Sequence, residues 1–168
     1  KPIQFRQQNI SRALRRRLPV ARITGIDLNR RALARARAAD TDPRSAYRLA
    51  AEPDPGERFD AVLAMAVFRH GELEARRPDI CSAVLPFARF EQGVAALDRV
   101  LEPGGWLAIG NAHFRLADTA LAAGYTADPL RCDDLPPQAL LYGPDDRRLD
   151  GFVEPAVLFR KLSPAERP

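Results

Sequence analysis

The sequence predicts an α/β fold: a three-layer, doubly wound, mostly parallel sheet with helices on both faces. Three observations carry this. Segments of helical period alternate with β-branched or apolar segments along most of the chain. The longest apolar run, Ala61–Phe68, shows no inside–outside alternation, as expected of a strand covered on both faces. An amphipathic helix is followed at once by a Pro-Gly-Gly turn and another apolar strand, Trp106–Gly110, which is how one half of such a sheet is wound.

Taken in order, Asn9–Leu18 reads as a helix whose Ile10, Leu14 and Leu18 form one apolar stripe, closed by Pro19. Arg22–Asp27 is a short strand. Asn29 is a good N-cap for a helix over Arg30–Ala39, with Ala32, Leu33 and Ala36 facing inward. Asp40–Pro43 is a loop, Ala46–Ala50 a weak strand and Glu52–Gly56 a turn cluster. Phe59–Phe68 is the buried strand, and Arg69–Pro86 is read as irregular. Phe87–Leu101 is a helix with Phe90, Val94, Leu97 and Leu101 on one side. Glu102–Gly105 stops it. A helix over Leu116–Ala123 and late strands over Tyr125–Arg131 and Pro155–Leu162 complete the expected order, within a single domain spanning residues 1–168.

Composition narrows the function classes. With 46% hydrophobic residues the chain can bury a core, and its longest apolar run of eight residues is far short of the roughly 20 that cross a bilayer, so no membrane role is expected. Two cysteines, Cys81 and Cys132, suit ordinary thiols in a reducing cytoplasm and cannot by themselves cage a metal, so no metal site is expected. Charge is uneven: residues 1–48 carry 13 basic and three acidic side chains, and nearly every base is Arg. A basic third attracts phosphates. The Arg-rich stretch from Arg12 to Arg37 has no interleaved aromatic residue, however, so a nucleic-acid partner is not favoured over a solvated helix face.

Two segments carry chemistry. In Arg22-Ile-Thr-Gly-Ile-Asp-Leu-Asn29 an acidic residue closes a strand just before a helix. In doubly wound sheets that position accepts hydrogen bonds from both hydroxyls of a ribose. In Phe59–His70 a core strand ends in small and apolar residues that can lie under a flat heterocycle. His70 and His113 both follow strands on the expected ligand-binding edge and are candidate catalytic proton acceptors, the plain alternative for each being a solvated loop histidine. Asn111 is a candidate to orient a polar group of a substrate.

In this order "GIDLN", "FDAVLAMAVFRH", "ALDRVLEPGGWLAIGN" and a closing "VLFRKL" resemble the class I methyltransferases that use S-adenosylmethionine. The resemblance runs from about Ser11 to Lys161 and implies a Rossmann-like sheet of seven strands, the last antiparallel. It also implies that Asp27, with Leu28 beside it, binds the cofactor ribose, and that Met65 and Ala66 approach the cofactor. In one respect the sequence departs from the family. The glycine-rich loop belongs just before the helix containing Arg12–Arg17, and the nine residues there, Lys1–Asn9, hold no glycine. A chain that starts at Lys and lacks this loop reads as an N-terminally incomplete or degenerate member with impaired cofactor binding. The methyl acceptor, small molecule or macromolecule, is not specified. Two other readings use the same residues. A nicotinamide-dependent oxidoreductase would place Asp27 on its own ribose but needs the equally absent G-x-G-x-x-G. A non-catalytic module would bind through the basic helices.

Overall fold

The computed structural model describes residues 17, 22–128, 140–150 and 158–166. The chain divides into two compact units, residues 1–53 and 54–168. The helix expected over Asn9–Leu18 lies outside the described residues apart from position 17, as do parts of both late strands.

In the first unit β1 (Ile23–Asp27) and β2 (Ser45–Leu49) pair in parallel, joined by helix α1 (Arg30–Ala39). The register runs from Ile23 opposite Ser45 to Asp27 opposite Leu49, so Asp27 and Leu49 close the carboxyl rim together. Asn29 caps α1 as expected, its Oδ1 accepting from the amides of Arg31 at 3.0 Å and Ala32 at 3.2 Å. Leu33 is buried and Ala32 and Ala36 are half-buried, the expected inward face. At the opposite end Asp40 Oδ2 accepts from Ser45 Oγ at 2.6 Å and Tyr47 OH at 2.8 Å, pinning the helix exit to the start of β2.

The second unit is a four-stranded sheet in the order β3 (Phe59–Met65), β4 (Leu101–Gly110), β8 (Leu158–Lys161), β5 (Tyr125–Asp128). β3 and β4 are parallel, and β8 runs antiparallel to both β4 and β5, the antiparallel last strand that the sequence implied. Helices α2 (Gly71–Arg76) and α3 (Phe87–Val100) and a small hairpin, β6 (Leu141–Tyr142) with β7 (Arg148–Leu149), complete it. This is the expected α/β class. Among the described residues, however, the strands form a pair, a sheet of four and a hairpin rather than one sheet of seven, because no described strand bonds to both β1 and β3.

One face of the four-stranded sheet is the core. Ala64, Leu107, Ile109 and Phe159 pack there in one cluster with Phe90 and Val94 of α3 and with Leu73, Cys81, Phe114 and Tyr142. Four phenylalanines, Phe68, Phe87, Phe90 and Phe114, meet at centroid distances of 5.0–6.0 Å, the offset and edge contacts that suit aromatic quadrupoles.

Several expectations need correction. Among the described residues β3 is not covered on both faces: Leu63 is 45% exposed, and Trp106, on the same face of the sheet, is 37% exposed. Nor does β3 reach Phe68. It stops at Met65, because Ala66 turns into the left-handed region at φ 58°. Arg69–Pro86 is not wholly irregular, since α2 lies within it with His70 as its N-cap. The helix expected over Leu116–Ala123 is instead two single 3₁₀ turns, Leu116–Asp118 and Ala122–Gly124. A local bond and a tertiary one interrupt it: Thr119 Oγ1 returns to the Leu116 carbonyl at 2.8 Å, and the Ala120 amide donates to Glu91 Oε1 at 3.0 Å.

The turn Glu102–Gly105 bulges out of β4, whose Leu101 pairs with Phe59 and whose Trp106 pairs with Ala61. Gly104 has φ 80°, and a Cβ at Gly105 would lie 2.9 Å or less from the carbonyl oxygens of Asp60 and Glu102. Beside this turn Lys161 is 7% exposed. Its Nζ donates to the carbonyls of Asp98 at 2.6 Å and Leu101 at 2.9 Å and pairs with Asp98 Oδ1 at 3.0 Å, which uses all three ammonium protons. Tyr125 OH donates to the same Asp98 oxygen at 2.7 Å. A buried ammonium costs several kcal/mol to desolvate and is tolerated only with such complete pairing, so removing one partner leaves the others stranded. Lys161→Ala is therefore expected to destabilise the protein by about 3 kcal/mol in urea titrations. A loss under about 1 kcal/mol, the range of exposed pairs, would show that this cluster does not hold the sheet.

Candidate functional site

Two rims carry the candidate residues, one in each unit. In the first unit the backbone leaving β1 folds back on itself. The Asn29 amide donates to Asp27 Oδ1 at 2.8 Å, while the Asn29 side chain caps α1. This fixes the carboxylate at the strand end and leaves its other oxygen without a partner among the described residues. Leu28 and Leu49 flank it, 71% and 44% exposed. An acceptor between two bare apolar side chains suits a ligand that is part sugar and part flat ring. The sequence reading singled out Asp27 and Leu28. It passed over Leu49, whose place opposite Asp27 follows only from the strand register.

In the second unit the parallel register sets Met65 opposite Gly110. The next residue of each strand, Ala66 and Asn111, is left-handed, at φ 58° and 55°. Side chains with a Cβ rarely adopt this conformation, and such strain persists only where the surroundings impose it. Here they do: the Ala66 amide donates to the Gly110 carbonyl at 2.8 Å and the His113 amide to the Phe68 carbonyl at 2.9 Å. Phe68 is buried against α3, where Gly93 makes room for it; a Cβ there would sit 2.6 Å from the Phe68 ring.

Met65, Ala66, His70 and Asn111 thus come to one rim, Met65 half-buried and the other three exposed. His70 Nδ1 accepts the Glu72 amide at 3.3 Å, which leaves Nε2 as the free side of the ring. His113 is placed differently. It is 1% exposed, with Nδ1 2.8 Å from the Leu140 carbonyl and Nε2 3.3 Å from the His70 carbonyl. A neutral ring donates through one nitrogen, and the shorter distance assigns the proton to Nδ1. Arg69, which the sequence reading passed over although it stands beside His70, hydrogen-bonds Asn111 Oδ1 and pairs with Glu74 at 3.0 Å.

The rest of the chain offers less. Burial, reinforced by the negative charge of Asp146, pushes the Cys81 thiol up to about 12, so it stays protonated and inert at neutral pH. Cys132 lies outside the described residues. Among the described residues no cluster of His, Cys, Asp or Glu could hold a metal ion, and no helix is long and apolar enough to cross a membrane.

A family model described as a methyltransferase domain matches residues 7–109, more than half of the chain and the whole stretch from before β1 to the end of β4. The chain belongs to the methyltransferase domain family. It is of the class I, Rossmann-like kind, α/β with β1–β2 and β3–β4 paired in parallel. Among solved structures it is similar to the N-methyltransferase NodS from Bradyrhizobium japonicum, at 15% identity and TM-score 0.44, over 84% of this chain and 74% of that one. No curated protein matches it. Both rims of this methyltransferase domain lie at the carboxyl ends of parallel strands, where α/β sheets bind ligands.

The strained rim makes a direct prediction. Ala66→Gly relieves a left-handed alanine and is expected to stabilise the domain by about 0.5–1 kcal/mol in urea titrations, despite the added freedom of the unfolded chain. Ala61→Gly, in the extended strand, should destabilise it. Equal effects at the two positions would argue that the turn at Ala66 is not imposed.

Proposed function

We propose that this chain performs methyl transfer from S-adenosylmethionine, with its own grip on the cofactor confined to the adenosine end. The observation that carries this reading is the Asp27 carboxylate, fixed by the Asn29 amide through one oxygen and unpartnered among the described residues at the other, between exposed Leu28 and Leu49. The family match over residues 7–109 supports the same chemistry. Asp27 accepts ribose hydroxyls, and the two leucines lie against the adenine. Met65 and Ala66, at the end of β3, approach the cofactor.

The cofactor supplies a methyl group already activated by its sulfonium charge. The protein's share is then to align acceptor and donor and to keep water out, which by itself lowers a barrier by several kcal/mol. Asn111 orients a polar group of the acceptor. His70, through the free side of its ring, is the group available for proton exchange. His113 acts as a positioning residue, its ring anchored on the Leu140 carbonyl and its amide holding the Phe68 carbonyl. The chain holds no glycine before Gly25, and a segment without glycine gives a backbone less room to approach the methionine end of the cofactor. A reducing, cytoplasmic setting fits the free thiol of Cys81.

Saturation-transfer NMR with S-adenosylmethionine tests the reading proton by proton. The adenine and ribose protons should receive most of the saturation and the methionine protons least, with an affinity weaker than micromolar. Asp27→Ala should weaken binding by about tenfold or more, the worth of a hydrogen bond to a charged group. Micromolar affinity, or saturation equal at both ends, would overturn the adenosine-only grip. An unchanged affinity in Asp27→Ala would remove the ribose assignment.

A further inference from the structure

The second rim contains a cation that the reading above does not use. Arg69 lies in the short stretch between the left-handed Ala66 and helix α2. Its backbone is held from two sides: the Phe68 carbonyl by the His113 amide, and the turn before it by the Ala66 amide on Gly110. Its guanidinium is aimed as well. Nε pairs with Glu74 Oε1 at 3.0 Å, and Nη1 donates to Asn111 Oδ1. Of its five N–H groups, three have no partner among the described residues, and the side chain is 35% exposed. An arginine oriented by two partners with donors to spare is pre-organised for an oxyanion, since little rotamer freedom remains to be lost on binding.

Glu74 balances the charge of Arg69 in the resting protein, which favours a ligand of one negative charge over a dense anion. Exposed Val67, two residues away and 58% accessible, adds apolar surface to the same loop. We infer that Arg69 and Asn111 together form the docking site for a carboxylate on the methyl acceptor, an acceptor with an apolar body next to that carboxylate. This inference deepens the methyl-transfer reading and rests on it for the word acceptor. The docking of a carboxylate at Arg69 stands on the geometry of this rim.

The probe is benzoate, with benzamide as its neutral counterpart, titrated into the isotope-labelled chain without cofactor. Benzoate should produce saturable shifts, with a dissociation constant in about the millimolar range, at the Asn111 carboxamide, the Arg69 Nε–H and the amides of His70 and Gly71. Benzamide should leave these signals in place. Arg69→Gln should weaken benzoate binding about tenfold or more, and Arg69→Lys, which keeps the charge and loses the fork, should fall between. Shifts of equal size with benzamide, wild-type affinity in Arg69→Gln, or no saturable shift in the wild type would each overturn the proposal. Because no cofactor is present, none of these outcomes depends on S-adenosylmethionine binding, whose failure would appear only in the saturation-transfer experiment.

Discussion

The parallel register that sets Met65 opposite Gly110 governs the chemistry of the second unit. Both strands end at the same level, so both chains must turn there, and both turn through a left-handed residue that is not glycine. The alanine turn costs about 1–2 kcal/mol and is sustained by the bonds around it, whereas asparagine adopts this region more readily. The result is a fixed rim: Ala66 and Asn111 hold their conformation because their neighbours leave no alternative. A rim of glycines would reach the same shape more cheaply but would lose more freedom on ordering.

That register is itself anchored at the other end of the strands. Lys161 ties β8 to the carbonyls of Asp98 and Leu101, where α3 passes into β4. Asp146 supplies the cap that Pro86 cannot, its Oδ1 accepting the Phe87 amide at 2.6 Å where α3 starts. The helix that covers the core face is therefore held at both ends by side chains from distant parts of the chain. The sheet's other face, with Leu63 and Trp106 partly bare, has no such device among the described residues. The rim with Arg69 is tied to the core face through buried Phe68 and His113.

What the sequence made legible follows from how local each signal is. Helix α3 was readable because Phe90 and Val94 recur at helical spacing and both are buried. The start of α1 was readable because asparagine is a preferred N-cap, and Asn29 Oδ1 accepts from the amides of Arg31 and Ala32. The end of β3 was not, because an unbroken apolar run has no period and alanine gives no warning of a left-handed turn. The segment Leu116–Ala123 is helical by propensity, and the local bond from Thr119 to the Leu116 carbonyl together with the tertiary bond to Glu91 overrides it. Arg69 escaped notice for a related reason. Nothing in "VFRH" tells that Asn111 and Glu74 converge on it.

His113 shows most clearly how context sets a residue's task. From sequence it stands three residues past β4, where a proton acceptor would be useful. In the fold its ring is enclosed, one nitrogen 2.8 Å from the Leu140 carbonyl and the other 3.3 Å from the His70 carbonyl, with Tyr142 edge-on at 6.0 Å. A general base must exchange its proton with a substrate, and with the proton on Nδ1 the lone pair on Nε2 points into the interior toward the His70 carbonyl, where no substrate reaches it. The His113 backbone amide, however, donates to the Phe68 carbonyl at 2.9 Å and so fixes the chain just before Arg69 and His70. Arg69 and His70 thus stand exposed at the rim, while the buried His113 supports the chain behind them.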